Sequence, residues 1–226
     1  MIDRKNIQDL FAQKEFDNLL DVIEKDLLVN KDNLFLLNAK GMALAKNNEY
    51  KKSINCFKRC IVLDDKNASL YSNLALSYIG DENLDKAEES FIQSINLDDE
   101  NIVTLIAISE LFLKKNDSVS AIDYLEKAHK LDISNTTVNL LLASIYVDND
   151  SDKAISFLEQ LVSDNESNLD YLYYLARSYR DNKYFEKARD CFKLIVKEND
   201  NDIDAIHDLG ALYRTLKDDI EAQICF

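Results

Sequence analysis

The sequence predicts an all-α solenoid of about six to seven helix hairpins, and two observations carry this prediction. Asn or Asp recurs at intervals of 34, 34, 34, 33 and 34 residues, at Asn33, Asn67, Asn101, Asn135, Asn168 and Asp202. A fixed period of this length is typical of stacked helical repeats. Within each period, apolar residues fall at helical spacing in two consecutive stretches, which indicates two amphipathic helices per repeat.

The copy between residues 68 and 101 shows the pattern most clearly. Its first half places Tyr71, Leu74, Ala75 and Tyr78 on one helical face, and its second half does the same with Ala87, Phe91, Ser94 and Ile95. Between the halves, the stretch from Gly80 to Asn83 has turn chemistry, because Gly relaxes the backbone and Asp and Asn favour helix starts. Each repeat is therefore predicted to be a helix hairpin, and the recurring Asn is predicted to cap the next one.

The period divides the chain into segments. Five full repeats are predicted at residues 34–67, 68–101, 102–135, 136–168 and 169–202. Residues 1–33 are predicted to be a degenerate N-terminal hairpin or cap, because bulky or polar residues fill its small positions. Residues 203–226 form an incomplete last repeat, which we expect to be truncated from a longer protein. The repeat at 136–168 lacks one residue between Asp148 and Asp152, so its turn is expected to be shorter.

Four columns of residues stand at equivalent positions in six copies of the repeat. The first helix has a small residue at Gly41, Ala75, Ser109, Ala143, Ala176 and Gly210, and a large one at Leu44, Tyr78, Phe112, Tyr146, Tyr179 and Tyr213. The second helix has a small residue at Ser53, Ala87, Ala121, Ala154, Ala188 and Ala222, and a large one at Phe57, Phe91, Leu125, Leu158, Phe192 and Phe226. In these columns the chain resembles the tetratricopeptide repeat, a 34-residue helix–turn–helix unit. The resemblance implies a right-handed superhelix whose first helices line a concave, ligand-binding groove.

One feature of that family is missing. The chain contains no Pro, and Asp65, Asp99 and Ile133 stand where the family has a helix-ending Pro. Because Asp does not block a helix as Pro does, we expect looser junctions or longer second helices.

The composition limits the classes of partner. A formal net charge of −15 argues against nucleic acid, because binding a polyanion requires clustered Lys and Arg. The same acidity opposes adsorption to an anionic membrane, and no stretch is long and apolar enough to span a bilayer. The N-terminus lacks the apolar core of a secretory signal, and the four cysteines do not form a disulfide pattern. The predicted location is therefore cytoplasmic.

No catalytic or metal-binding constellation is evident, so neither an enzyme activity nor a cofactor is predicted. His129 and His207 lie on predicted helices without a nucleophile at a suitable spacing. Cys56 and Cys60 are one turn apart, as zinc ligands can be. Cys60, however, shares its repeat position with Ser94 and is better explained as a small core residue. The acidic runs lack the Gly and the ligand spacing of a calcium loop.

Projecting the first helices onto the implied groove gives the candidate binding residues. The predicted peptide-binding set is Asn73, Leu76, Ile106, Glu110, Leu141, Tyr173, Tyr174, Arg177, Arg180 and Arg214. Its middle belongs to an apolar strip of Leu76, Ile79, Ile106, Leu113, Leu140, Leu141 and Val147. This strip either binds a partner or packs between neighbouring first helices. The set ends in three of the six arginines of the chain. These arginines either bind carboxylates of a ligand or form salt bridges to Asp181, Asp208 or Asp218.

Two specialised ligand sites of the family are not expected. Asn73 matches the middle position of the clamp that binds chaperone tails, but Asn38, Met42, Val103 and Ala107 fill the other positions. The asparagine ladder of repeat arrays attached to sugar transferases is also absent, since Asn73 stands alone in that column.

These observations predict a non-catalytic scaffold that binds a protein or peptide in its concave groove. An alternative is an N-terminal regulatory or substrate-recruiting arm of a larger enzyme such as a glycosyltransferase. A third hypothesis is self-association through the uncapped C-terminal hairpin, because an open solenoid end exposes apolar surface.

Overall fold

The structure, a computed structural model, describes residues 4–165, 167–217 and 222. These residues form thirteen helices and no strand, so the all-α prediction is confirmed. The chain divides into two compact units, here called the N-terminal unit (Met1–Leu131) and the C-terminal unit (Asp132–Phe226). None of the described helices is long and apolar enough to cross a membrane.

The helices follow the predicted period. The N-terminal unit contains α1 (Arg4–Ala12), α2 (Phe16–Leu27), α3 (Leu34–Lys46), α4 (Tyr50–Leu63), α5 (Ala68–Gly80), α6 (Leu84–Leu97), α7 (Ile102–Lys114) and α8 (Ser118–Leu131). The C-terminal unit contains α9 (Thr136–Asn149), α10 (Ser151–Asp164), α11 (Leu169–Asp181), α12 (Phe185–Glu198) and α13 (Ile203–Thr215). Consecutive helices pair as hairpins, and within each unit the second helix of one hairpin packs on the first helix of the next.

The recurring Asn and Asp residues cap the first helices. The Asn101 side chain accepts a hydrogen bond from the Thr104 amide at 3.0 Å, and equivalent bonds form at Asn33, Asn135, Asn168 and Asp202. The capping prediction is confirmed at these five positions and wrong for the side chain of Asn67, which makes no cap bond. Instead, the Asn67 side-chain amide points to the Asp64 carboxylate, at 3.5 Å.

The turn inside each hairpin does not depend on Gly, which corrects the interpretation of Gly80. In six of the turns, one residue that is not Gly has a positive φ, between 58° and 63°. These residues are Lys14, Asn48, Glu82, Asn116, Lys183 and Lys217. Gly80 is the last residue of α5, and an added Cβ would lie 2.2 Å from a Tyr50 ring carbon. Gly80 is therefore needed for close packing rather than for an unusual backbone conformation.

The repeat that lacks one residue has a shorter turn, as expected. Helix α9 continues to Asn149, and Asp150 both ends α9 and caps α10, accepting a hydrogen bond from the Lys153 amide at 3.1 Å. In the described residues, no position in this turn has a positive φ. The missing residue thus corresponds to the left-handed residue of the other hairpins.

Side-chain turns end the second helices in place of Pro. Helix α4 stops at Leu63, and Asp64 adopts an extended conformation with φ −149° and ψ 91°. The Asp64 carboxylate then accepts a hydrogen bond from the Lys66 amide at 3.3 Å, and Asp98, Asp132 and Asn199 repeat this geometry. Because Asp and Asn bond readily to the backbone two residues ahead, they end a helix without Pro.

The four predicted columns form the core. Every described member of these columns is buried, and the aromatic or leucine residues at Phe57, Phe91, Leu125, Leu158 and Phe192 are at most 1% exposed. Phe226, predicted in the same column, lies outside the described residues. The small columns let two helices cross closely: the Ser53 hydroxyl donates a hydrogen bond to the Gly41 carbonyl oxygen at 2.8 Å.

Gly41→Ala tests the close crossing of α3 and α4. Inside a helix this change normally stabilises by about 0.5–1 kcal/mol. Here an added Cβ would lie 2.8 Å from the Phe57 ring, which is buried. We therefore expect a loss of about 1–3 kcal/mol from overpacking, measured by urea unfolding. Phe57→Leu in the same chain should reduce the loss by relieving the contact. A stabilising Gly41→Ala change would contradict the packing.

Candidate functional site

The first helices of the N-terminal unit share one surface, because α5 contacts both α3 and α7. Met42, Leu76 and Glu110 occupy the same position in these three helices, 34 residues apart, and all three are exposed. Leu76 is 48% exposed and Met42 is 40% exposed. We call this surface the first-helix face of the N-terminal unit.

The apolar strip on this face is only partly free. Ile79, Ile106 and Leu113 are half-buried, while Leu76 remains exposed between them in the same unit. The strip in this unit therefore divides into three half-buried residues and Leu76, which is exposed and available to a partner.

Polar groups border the apolar residues of this face. The Asn73 side-chain amide donates a long hydrogen bond to the Asn38 side-chain oxygen at 3.4 Å, which joins α5 to α3. Glu110 is exposed and has no ion-pair partner among the described residues. The face therefore combines apolar contact area with a negative charge that is available to a ligand.

The strip residues of the C-terminal unit are more buried than predicted. Leu140 and Leu141 are half-buried, and Val147 is 7% exposed. The interpretation of Val147 as an exposed strip residue is wrong. Helix α9 contacts α10 and α11, and these neighbouring helices leave Val147 little access to solvent.

Tyr173 and Arg180 converge on Asp208. One Asp208 oxygen accepts a hydrogen bond from the Tyr173 hydroxyl at 3.1 Å, and the other pairs with Arg180 at 3.1 Å. Arg180 also pairs with Asp181 at 3.0 Å. The salt-bridge alternative therefore holds for Arg180, while Asp218 lies outside the described residues.

Arg177 differs from Arg180 in its surroundings. It is half-buried on α11, and among the described residues it has no ion-pair partner. Tyr174 stands edge-to-face with Tyr173 at 6.2 Å between ring centroids, and the Tyr173 ring also contacts buried Phe192 at 5.9 Å. The unpaired guanidinium therefore lies beside an aromatic pair whose position is set by the core.

Arg214 lies near the end of α13 and is exposed. It is one period after Arg180, so the two arginines occupy equivalent positions of neighbouring first helices in the C-terminal unit.

The electrostatics of Tyr173 reflect this arrangement. Burial first, and then the charge of Asp208, raise the pKa of Tyr173 to about 12, while the nearby charge of Arg177 opposes the increase. The phenol therefore stays neutral near neutral pH and acts as a hydrogen-bond donor to Asp208.

The thiols are poor candidates for chemistry at neutral pH. Burial raises the pKa of Cys60 to about 11 and the pKa of Cys191 to about 11, so both thiols stay protonated. Within the part of the chain that the structure describes, no three His, Cys, Asp or Glu residues form a group that could hold a metal ion.

Family comparisons agree with the repeat pattern. Two family models described as tetratricopeptide repeat match residues 36–67, 68–101 and 148–213. The chain is 24% identical to anaphase-promoting complex subunit 3 of Schizosaccharomyces pombe over 163 residues, 71% of this chain and 24% of that protein. It is 25% identical to the TPR repeat-containing protein YpiA of Bacillus subtilis over 187 residues, 82% of this chain and 44% of that protein. The chain thus spans less than half the length of these relatives.

Solved structures share the fold. The C-terminal part of a TPR repeat-containing protein from Cytophaga hutchinsonii superposes with a TM-score of 0.81 at 14% identity, covering 98% of this chain and 92% of that chain. YrrB, described as a TPR protein with an unusual peptide-binding site, superposes with a TM-score of 0.66 at 18% identity, covering 82% of this chain and 96% of that chain.

The pKa of Tyr173 can be tested by titration. Because the folded-state pKa is raised to about 12, the neutral phenol stabilises the fold fully below the ordinary value of about 10, and this contribution is lost as the pH rises towards 12. We expect Asp208→Asn to lower the pKa of Tyr173 by removing a negative charge. Carbon-13 NMR of labelled tyrosines, assigned with Tyr173→Phe, measures the midpoint. Asp170→Asn is the control, and a wild-type midpoint near 10 would refute the assignment.

Proposed function

Because this chain belongs to the tetratricopeptide-repeat family, we propose that it is a non-catalytic scaffold that binds a protein or peptide on its first helices. The observation that carries this proposal is Leu76, which is 48% exposed beside half-buried Ile79 and Ile106. Exposed apolar side chains grouped in this way are typical of binding surfaces. One relative is named as a subunit of a complex and one solved structure is described as peptide-binding, which supports the same class of function.

The N-terminal unit offers apolar contact area to a partner. Full burial of a Leu or Met side chain contributes about 1.5–3 kcal/mol, and Leu76 and Met42 are already half desolvated by their neighbours. A ligand lying across α3, α5 and α7 contacts Met42, Leu76 and Glu110 in succession. We therefore propose a ligand with apolar side chains and a cationic group that pairs with Glu110.

The C-terminal unit offers orientation through charge. Arg180 is already paired with two carboxylates, whereas Arg177 has no ion-pair partner among the described residues. A guanidinium binds a carboxylate through two parallel hydrogen bonds, and Tyr174 supplies an aromatic surface nearby. We propose that Arg177 is the arginine that recognises an acidic group of the partner, with Arg180 and Tyr173 holding the surrounding structure.

The remaining predictions about the whole protein stay predictions. These are the role as an arm of a larger enzyme such as a glycosyltransferase, the cytoplasmic location, and self-association through the last hairpin. That last hairpin includes residues 218–221 and 223–226, which lie outside the described part.

Leu76→Asp tests the first-helix face. A charge in the middle of the apolar contact should abolish partner capture, because an unpaired carboxylate cannot be desolvated cheaply. The matched control is Leu63→Asp on α4, since Leu63 is 42% exposed and lies on a second helix. Capture from the native lysate is quantified by mass spectrometry, with thermal unfolding to show that both variants are folded. Equal capture by the two variants would exclude this face as the binding site.

Arg177→Ala tests the charge at the C-terminal unit. A hydrogen bond to a charged group contributes about 1.5–3 kcal/mol, so we expect roughly a tenfold or greater loss of affinity for the captured partner. The matched control is Arg189→Ala, because Arg189 is also half-buried but pairs with Asp190 at 2.9 Å. Biolayer interferometry measures both variants. If Arg189→Ala weakens binding as much as Arg177→Ala, the assigned role of Arg177 is wrong.

A further inference from the structure

A groove in the N-terminal unit lies between the second helices α2 and α4, and residues of α3 also line it. It consists of two adjoining cavities of about 520 and 450 Å³, which share Glu24, Lys40, Asn55 and Cys56 as lining residues. Leu44 on α3 lines the larger cavity and is itself 3% exposed. We call this depression the α2–α4 groove; it does not include the first-helix face.

The repeat pattern explains why there is space at this place. Leu44 belongs to the column that in every later copy holds an aromatic ring, at Tyr78, Phe112, Tyr146, Tyr179 and Tyr213. Each of these rings is buried, with an exposed fraction of 9% or less. Leu is shorter and has no ring, so the equivalent volume between α2 and α4 stays open.

A lysine stands where it would cover the missing ring. Lys86 lies over the Tyr78 ring at 5.8 Å, and in later repeats Lys153 and Lys187 cover Tyr146 and Tyr179 at 4.3 and 4.8 Å. Lys52 is one period before Lys86 and lines the α2–α4 groove. Its ammonium pairs with Glu49 and has no ring below it, because Leu44 is there.

The groove is also acidic on one side. Asp17, Asp21 and Glu24 follow one another along α2 and line the larger cavity together with Glu49. Glu24 pairs with Lys40 at 2.7 Å, whereas Asp21 has no partner among the described residues. One period later, α4 carries Lys51, Asn55 and Lys58 in place of these three carboxylates, so the wall that α2 forms is acidic and the equivalent positions of α4 are not.

We propose that the α2–α4 groove binds a basic partner segment that inserts one aromatic side chain above Leu44, in the place of the ring that later repeats supply themselves. The inserted ring lies beside Lys52, as Tyr78 lies beside Lys86, and a Lys or Arg next to it in the partner pairs with Asp21. Cation–π contact and burial of the ring both favour this arrangement.

Charge favours such a partner over a second copy of this chain. The formal net charge of −15 disfavours a second copy as the occupant of this groove. A basic segment is attracted to the carboxylates of α2, while Lys40, Lys52 and Arg59 line the α3 and α4 side.

The absence of Trp from this chain permits a direct test. The probe is the peptide acetyl-Lys-Lys-Trp-Lys-Lys-amide, whose fluorescence reports its own burial, and the same peptide with Ala in place of Trp is the competitor. We expect a saturable blue shift with the wild-type chain that the Ala peptide does not reverse at equal concentration. Leu44→Tyr fills the cavity from within and should raise the Kd at least about tenfold.

Asp21→Lys tests the charged wall without touching the core and should also raise the Kd about tenfold or more. Asp123→Lys, the same charge change at an exposed position of α8, and Leu76→Asp, on the first-helix face, should change the Kd less than about twofold. Circular dichroism verifies folding, and if Leu44→Tyr does not fold, Asp21→Lys and the Ala competitor decide the result.

Several results would overturn the proposal. An aromatic site would be excluded by any of three results: no saturable shift, unchanged binding by folded Leu44→Tyr, or equal competition by the Ala peptide. Equal effects of Asp21→Lys and Asp123→Lys would indicate general charge attraction only. Loss of the shift with Leu76→Asp would move the binding to the first-helix face, so failure here is distinguishable from failure of the proposed function.

Discussion

The close crossing of the two helices in each hairpin is the constraint on which the rest of the structure depends. At Gly41 the helices approach so closely that the Phe57 ring would contact an added Cβ at 2.8 Å. The equivalent crossings use Ala75, Ala143 and Ala176, all of which are 0% exposed. Because the core is built from these local crossings, each hairpin stabilises mainly its neighbours and no single centre holds the chain together.

This constraint also separates structural residues from available ones. Side chains in the four columns are buried in the core, whereas side chains that face away from every helix crossing remain accessible to a partner. Leu76 directly follows Ala75 of the buried small column, so its side chain points to a different side of the helix. It stays exposed because the helix crossing is made at Ala75. The same reasoning identifies the α2–α4 groove, where a column position holds a residue too small to fill it.

The charged side chains also divide into those that pair within the protein and those that remain available to a partner. The acidic composition supplies a carboxylate to several cations, as Asp208 and Asp181 do for Arg180 and Asp99 does for Lys127 at 2.6 Å. Exposed ion pairs of this kind contribute little to stability. An arginine without an ion-pair partner is therefore a better candidate for binding a ligand than one that already has a partner. By this criterion Arg177 is the candidate and Arg180 is not.

The sequence by itself determined the period, the helix hairpins, the core columns and most of the caps. These features are local or strictly repeated, and spacings of a few residues and of 34 residues are visible in the chain. Only the tertiary structure decided that Val147 is buried, that Gly80 makes room for Tyr50, and that Asp208 binds Arg180 and not Arg177. Arg177 and Arg180 lie one helical turn apart on α11, so their sequence positions are nearly equivalent. Of the two, only Arg180 comes within about 3 Å of the Asp208 carboxylate on α13, measured between side-chain atoms. Such atomic distances are set by how the helices pack and not by the periodicity of the sequence.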